Sequence, residues 1–221
     1  MTLELWTAVD QYITDTVVAE DDVLRAATEA GVAAGVPQIS VTPGQGKLLY
    51  LLARVQGART ILEIGTLVGY STIWLARAVG PKGRVITLEA EAPHAAVARD
   101  NLARAGLEKT VDIRVGKALD TLPAVESAAP FDLVFIDADK ESNPQYFEWA
   151  MRLTKPGSLI IIDNVVREGA VIDAGTADPR VLGVRRLNVL IAAERRVSAT
   201  TIQTVGSKGY DGFTIARVND D

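Results

Sequence analysis

Residues 59–71 read Arg-Thr-Ile-Leu-Glu-Ile-Gly-Thr-Leu-Val-Gly-Tyr-Ser. Positions 60–64 are a short run rich in Ile and Leu, the pattern of a strand buried on both faces. Gly65 ends it at once, and Gly69 follows four residues later. Over 71–79 the apolar residues Ile73, Leu75, Ala76 and Val79 suit a helix. Strand, glycine turn and helix together form the unit that brings backbone N–H groups close to a ligand. The carboxylate of Glu63 stands at the carboxyl end of the strand.

Spacing separates two ligands. A dinucleotide fingerprint needs G-x-G-x-x-G, whereas this turn offers G-x-x-x-G. The single acid such a fingerprint needs for a ribose, about twenty residues on, is met by Glu89, which closes the apolar strand 84–88. Glu63 is then an additional carboxylate. Beside a pyrophosphate it would repel; beside the ammonium and sulfonium of S-adenosylmethionine it would attract. These residues favour S-adenosylmethionine over NAD, with a βαβ turn that binds nothing as the plainer alternative.

The 221 residues, 48% hydrophobic, suffice for one domain with a sizeable core. A net charge of −5 argues against a general nucleic-acid binder, which carries a basic face. With no cysteine there is no disulfide, thiolate metal site or thiol nucleophile. No signal-peptide pattern or membrane-length apolar run is visible, so a cytoplasmic protein is expected.

Working outward, 3–18 has helical spacing in Leu5, Trp6, Val9, Ile13 and Val17. Asp21 and Asp22 suit the cap of a second helix reaching about Gly35. These two helices, within 1–42, are expected to cover a cleft or make a subunit contact, with simple shielding of the core as the plainer alternative. The core follows from 43 to 221, all as one domain. Thr42 and Pro43 read as N-cap and first residue of a helix over 44–55. After the opening strand, strands at 84–88, 111–115, 131–136 and 158–162 alternate with helices at 93–105, 119–126 and 144–153, the last halted by Pro156-Gly157. An irregular stretch, 165–179, is long enough for a lid. A helix over 180–196 precedes two strands, 199–205 and 212–218, expected to form an antiparallel hairpin at the sheet edge. The fold class is α/β.

A parallel α/β sheet binds ligands at the carboxyl ends of its strands. Those ends read Glu63, Glu89, Ala118, Asp137 and Asp163. Asp137, Asp163 and Asn164 are hard oxygen donors suited to Mg²⁺, Mn²⁺ or Ca²⁺, and a cation would relieve the repulsion between neighbouring carboxylates. The plainer alternative is that both aspartates cap helices. Lys140, three residues beyond Asp137, could point to the same place and serve there as a base; a solvated surface lysine is its alternative. The single histidine, His94, reads as a surface residue.

E-I-G-T-x-x-G-Y-S, V-F-I-D-A-D-K and I-I-I-D-N, in that order, resemble the cation-dependent O-methyltransferases of the caffeoyl-CoA and catechol type. The resemblance spans about Pro43 to the C-terminus. It implies a Rossmann-like seven-stranded sheet, mostly parallel with helices on both faces, and a homodimer. By position, Glu63, Gly65, Thr66 and Ser71 would hold the methionine part of the cofactor, Glu89 the ribose, and the backbone at Ala118 would face the adenine. Val41 matches a cofactor-contacting position. Asp137, Asp163 and Asn164 would bind the metal, with Asp137 also near the cofactor, Asp139 near the substrate, and Lys140 matching the proposed base. The family's D-K-x-N-Y-x-x-Y is here D-K-E-S-N-P-Q-Y, so Ser142 and Asn143 depart from it while Tyr146 is retained. That departure falls on the acceptor side.

The expected activity is metal-dependent methyl transfer from S-adenosylmethionine to a catechol-like small molecule. Competing readings are methylation of a tRNA hydroxyl, for which Arg185, Arg186, Arg195 and Arg196 are the local basic cluster, an NAD enzyme, and a non-catalytic cofactor-binding module. No membrane partner is expected.

Overall fold

The computed structural model describes residues 2–220. Its centre is β1 (Thr60–Ile64), paired in parallel with β2 (Arg84–Glu89) on one side and β4 (Phe131–Ile136) on the other. β3 (Val111–Val115) extends the first side and β5 (Thr154–Asp163) the second. β7 (Gly209–Val218) then pairs antiparallel with β5, and β6 (Val197–Gly206) forms the edge. The seven-stranded order is β3-β2-β1-β4-β5-β7-β6, so strand order reverses between β1 and β4, where α/β sheets open a crevice.

Period-two alternation sorts β1 into two faces. Leu62 and Ile64 join a core completed by α7 (Asn143–Leu153) and α8 (Pro179–Ala193). Ile61 faces the other core, made with α2 (Asp22–Ala33), α3 (Pro43–Gln56), α4 (Tyr70–Val79) and α5 (Ala92–Arg104). Both faces are covered, which is why β1 and β4 are nearly continuous apolar runs. The expected α/β class and antiparallel C-terminal pair are present.

Local signals act as expected at several ends. Thr42 Oγ1 accepts the Gln45 N–H at 3.3 Å with Pro43 in the first turn of α3, and Asp21 Oδ1 accepts the Leu24 N–H at 3.1 Å. α1 (Leu3–Ile13) continues through a π turn at Thr14–Val18. None of the α1 residues is buried.

Four expectations need correction. Pro156-Gly157 does not halt α7; it lies inside β5, whose pairing with β4 shifts register between Phe131 and Leu133. Ser158 Oγ accepts the Lys155 N–H at 3.1 Å and donates to the Phe131 carbonyl at 2.8 Å, holding that irregularity together. The helix expected over 119–126 is a short α6 (Ala118–Thr121) followed by a 3₁₀ turn, Leu122–Ala128. α8 ends at Ala193, so Arg195 and Arg196 lie in the turn beyond it. The six-residue connection expected at 206–211 is a two-residue turn, Ser207-Lys208, because Gly206 pairs directly with Gly209 and the ladder runs on through Asp211. Among the described residues, no helix is long and apolar enough to cross a membrane.

Candidate active site

Glu63 opposes Thr87 in the β1–β2 register and is wholly buried. Its carboxylate accepts three hydroxyl hydrogen bonds: from Ser71 at 2.6 Å, Thr72 at 2.5 Å and Thr87 at 2.7 Å. Since Thr87 spends its proton on Glu63, Thr66 must donate in the 2.5 Å contact between the two threonine hydroxyls. Burial pushes the Glu63 carboxyl up to about 7, the hydroxyl donors pull it back, and the Asp137 charge adds to the rise.

Glu89 ties the glycine turn to β2. One oxygen accepts the N–H groups of Thr66 at 3.1 Å and Leu67 at 2.7 Å; the other accepts from Glu91 N–H at 3.0 Å. His94 Nδ1 lies 3.4 Å from that second oxygen, so the histidine read as a surface residue is half-buried against Glu89. Ala118 is buried at the start of α6, after Gly116 donates to the Glu89 carbonyl at 2.8 Å.

Gly65 joins this half to the next. Its φ is +102°, and a side chain there would collide with the Asp137 carbonyl, so only glycine meets both demands. Asp137 N–H continues the β1–β4 ladder to the Ile64 carbonyl at 2.8 Å. Lys140, buried, places Nζ 2.8 Å from Asp137 Oδ1. α8 packs at Gly183 directly on the Lys140 carbonyl, where a side chain would clash. Asp139, exposed, accepts the Tyr146 hydroxyl at 2.5 Å.

Asp163 is buried at the end of β5 and accepts the Asn164 N–H at 2.8 Å. Asn164 has φ +56°, a left-handed turn that ends the strand abruptly. Burial raises the Asp163 carboxyl well above the usual range; the Asp137 carboxylate adds to this, while Lys140, the Asn164 N–H and the Gln45 side chain oppose it. Asp137 and Asp163 are thus close enough to repel. The segment after Asn164 is not a free lid at its start. Asp211 Oδ1 accepts the Val166 and Arg167 N–H groups, both at 2.9 Å, and Arg185 holds the Val171 carbonyl at 2.6 Å.

The structure therefore gathers Glu63, Gly65, Thr66, Ser71 and Glu89 on one side of the crevice, and Asp137, Lys140 and Asp163 on the other. Val41, buried, lines an adjoining cavity of about 420 Å³ together with Ser40, Thr42, Tyr70 and Lys208. Sequence reasoning missed Gln45, Thr72, Thr87, Gly183 and Lys208. Thr87 carries a signal, a hydroxyl in an otherwise apolar strand, and Thr72 stands next to Ser71, nine residues from Glu63; Gln45, Gly183 and Lys208 depend on packing between distant segments. Arg185, Arg186, Arg195 and Arg196 are divided between α8 and the turn beyond it, and Arg196 is paired with Glu194.

The family model for O-methyltransferases matches residues 14–218. The chain belongs to the O-methyltransferase family. A catechol O-methyltransferase of Niastella koreensis is 52% identical over 220 residues, covering 99% of this chain and all of that protein. Another catechol O-methyltransferase, from Mycobacterium tuberculosis, is 51% identical over 95% of this chain and 94% of its own length. An O-methyltransferase from Bacillus cereus, solved with S-adenosylhomocysteine, superposes with a TM-score of 0.97 at 57% identity, covering 99% of this chain and 100% of that one. The O-methyltransferase TomG from Streptomyces achromogenes, solved with S-adenosylmethionine, gives 0.96 at 49% identity over the whole of both chains. The chain is an O-methyltransferase.

Proposed function

We propose that this O-methyltransferase moves a methyl group from S-adenosylmethionine to one hydroxyl of a vicinal diphenol, with a divalent cation held by Asp137, Asp163 and Asn164. The observation that carries this reading is the pair of acidic centres on either side of Gly65. Glu63 is a buried carboxylate awaiting a cationic ligand; Asp137 and Asp163 are neighbouring carboxylates awaiting a cation. The names of the relatives at 52% and 51% identity support the acceptor class.

The donor set fits the metal. Among the described residues no group of three or more His, Cys, Asp or Glu side chains is placed to hold one, but two carboxylates and one amide, with water, supply the all-oxygen shell that Mg²⁺ favours. Burial, and after it the Asp137 charge, raises the Asp163 carboxyl; an ion there would offset both. When bound, the cation supplies Lewis-acid stabilisation of an ionised acceptor oxygen, which matters because a phenol ionises near pH ~10.

This chain's own residues do the rest. Glu63 attracts the positively charged methionine end of the donor. Glu89 fixes the turn that carries Thr66 and Leu67, and it faces the ribose. Lys140, 2.8 Å from Asp137, is the group placed to take the hydroxyl proton once it has given up its own and stands as the neutral amine. The acceptor oxygen bonds to the methyl carbon as the carbon–sulfur bond breaks, and the sulfonium leaves as a neutral thioether. Orientation of oxygen, carbon and sulfur in line supplies much of the rate.

A cytoplasmic location and a homodimer belong to the same proposal. α1 exposes Leu3, Leu5, Val9 and Tyr12, and the edge strand β6 exposes Ile202 and Val205, an apolar surface suited to a second copy. Light scattering reads the mass, and cell fractionation reads the location. The activity test is labelled methyl transfer to a panel of diphenols with and without Mg²⁺. Transfer that survives EDTA undiminished removes the metal from the scheme, and transfer to none of the diphenols removes the acceptor class.

A further inference from the structure

The β6–β7 turn lines the cavity beside Val41 and is held there. Ser207 N–H donates to Asp10 Oδ2 of α1 at 2.7 Å, and Lys208 Nζ donates to the Ser40 carbonyl just before Val41. Lys208 is exposed and lines the 420 Å³ cavity, with its ammonium on the Ser40 carbonyl. The cavity wall runs through Val41 and Thr42, one turn before the Gln45 that reaches Asp163. Burial pulls the Lys208 ammonium below its ordinary pKa, and the Asp137 and Asp163 carboxylates oppose that fall.

The other charges around the cavity are engaged or solvated. Arg25 pairs with Asp22 and donates to the Glu20 carbonyl. Glu20 accepts the Tyr70 hydroxyl at 2.5 Å. Glu29 is exposed at the outer rim. Lys140 is committed to Asp137. Among the described residues Lys208 forms no ion pair, and its one hydrogen bond is to a neutral carbonyl. A divalent ion between the aspartates would offset their charge and leave this ammonium as a cation without an anion.

We propose that Lys208 is a specificity-determining residue that pairs with a carboxylate on the acceptor ring, so that the preferred acceptors are carboxylate-bearing vicinal diphenols rather than neutral or amine-bearing ones. The inference rests on the methyl-transfer reading above. The turn is pinned through Asp10 and Ser40, so the ammonium is positioned before the acceptor arrives and little ordering is needed on binding. Exchange of a neutral carbonyl for a carboxylate makes the hydrogen bond charge-assisted on both sides. A ring carrying an ammonium would meet a like charge instead.

The test compares 3,4-dihydroxybenzoate, unsubstituted catechol and 3,4-dihydroxyphenylethylamine on the full-length protein, its Lys208→Met variant and its Lys208→Arg variant, with thermal unfolding run on all three. Two readouts are taken: kcat and KM with S-adenosylmethionine and Mg²⁺, and calorimetric binding of each diphenol in the presence of S-adenosylhomocysteine and Mg²⁺. The expected result is a preference for the benzoate that falls by about tenfold in Lys208→Met, as a ratio to catechol, through KM and Kd rather than kcat. Lys208→Arg should restore much of it. Equal losses for all three acceptors, no benzoate preference in the unaltered protein, or weakened binding of S-adenosylhomocysteine alone would each overturn the assignment; the last would move the lysine to the donor carboxylate. Catechol turned over with no change of preference in the variant overturns only the role of Lys208. Failure of every diphenol to bind or react overturns the function proposal with it.

Discussion

The two sides of Gly65 solve opposite problems with the same residue type. On the donor side, Glu63 is buried but surrounded by hydroxyl donors from α4 and β2, and Glu89 is saturated by N–H groups of its own turn. On the acceptor side, burial raises the Asp163 carboxyl and the Asp137 carboxylate adds to the rise, with Lys140 as a counter-charge. The hydroxyl and N–H partners of both glutamates come from residues 66–91. The acceptor side draws on α3, β4, β5 and the β6–β7 turn, and its charges balance only when something else enters. Preorganisation is local for the donor and long-range for the acceptor.

The largest effect expected from this contrast is on the acceptor side. Asp163→Ala should lower methyl transfer by at least about 100-fold while leaving binding of S-adenosylhomocysteine nearly unchanged. Equal damage to both would mean that the two sides are one unit. Gly65→Ala should do what Asp163→Ala does not. Its side chain meets the Asp137 carbonyl, and its φ of +102° suits no other residue, so a loss of about 1–3 kcal/mol in stability is expected together with loss of both ligand affinities. Chemical denaturation and calorimetry check the pair of outcomes. A Gly65→Ala protein of normal stability that binds the donor normally would show that the two halves are not coupled through this contact.

Legibility in the sequence follows the same division. β1 and β4 have the bounds expected from their apolar runs, because a strand buried on both faces leaves little room for ambiguity; β3, half-exposed, keeps its bounds through strict alternation of apolar and charged residues. Glu63, Glu89, Asp137 and Asp163 were readable because an acid closing an apolar strand is conspicuous. The β6–β7 turn was not: Gly209, Tyr210 and Asp211 look like loop residues, and only pairing across to β6 keeps them in the ladder. Lys208 and Gln45 carry no local mark at all. Each matters through a segment far away in sequence, Ser40 for one and Asp163 for the other.

A smaller effect sharpens the picture of the donor side. The Glu63 carboxyl is raised from 4.5 to about 7, so the folded chain holds that proton more tightly than the unfolded chain does. Its contribution to stability is therefore greatest below pH 4.5, declines between 4.5 and about 7, and is level above that. A ligand with a cationic amino group favours the ionised form and should displace the proton. Affinity for S-adenosylhomocysteine is then expected to rise several-fold as pH climbs toward about 7 and to level off beyond it. Glu63→Gln should lower the affinity by about tenfold and flatten this pH profile. Calorimetry at pH 6 in buffers of different ionisation enthalpy reads the released proton directly. A pH slope that persists in Glu63→Gln assigns the proton elsewhere.

The smallest expected effect concerns Tyr146, the residue retained where Ser142 and Asn143 depart from the family pattern. Its hydroxyl donates to Asp139 at 2.5 Å. Burial raises the phenol's pKa, and the Asp139 carboxylate raises it further, so the hydroxyl stays protonated and remains a donor across the neutral and alkaline range. Tyr146→Phe keeps the ring that packs in the core beside Phe147 and Ala150 and removes only the donor. Asp139 is exposed and can turn to water, so the loss is that of one solvent-competed hydrogen bond to a charged group, about 1–1.5 kcal/mol. The consequence should be a rise of about five- to tenfold in acceptor KM, with donor binding untouched. If donor affinity falls instead, the Tyr146–Asp139 bond supports the turn after β4 as a whole, and the boundary between the two sides lies further into that turn than Gly65.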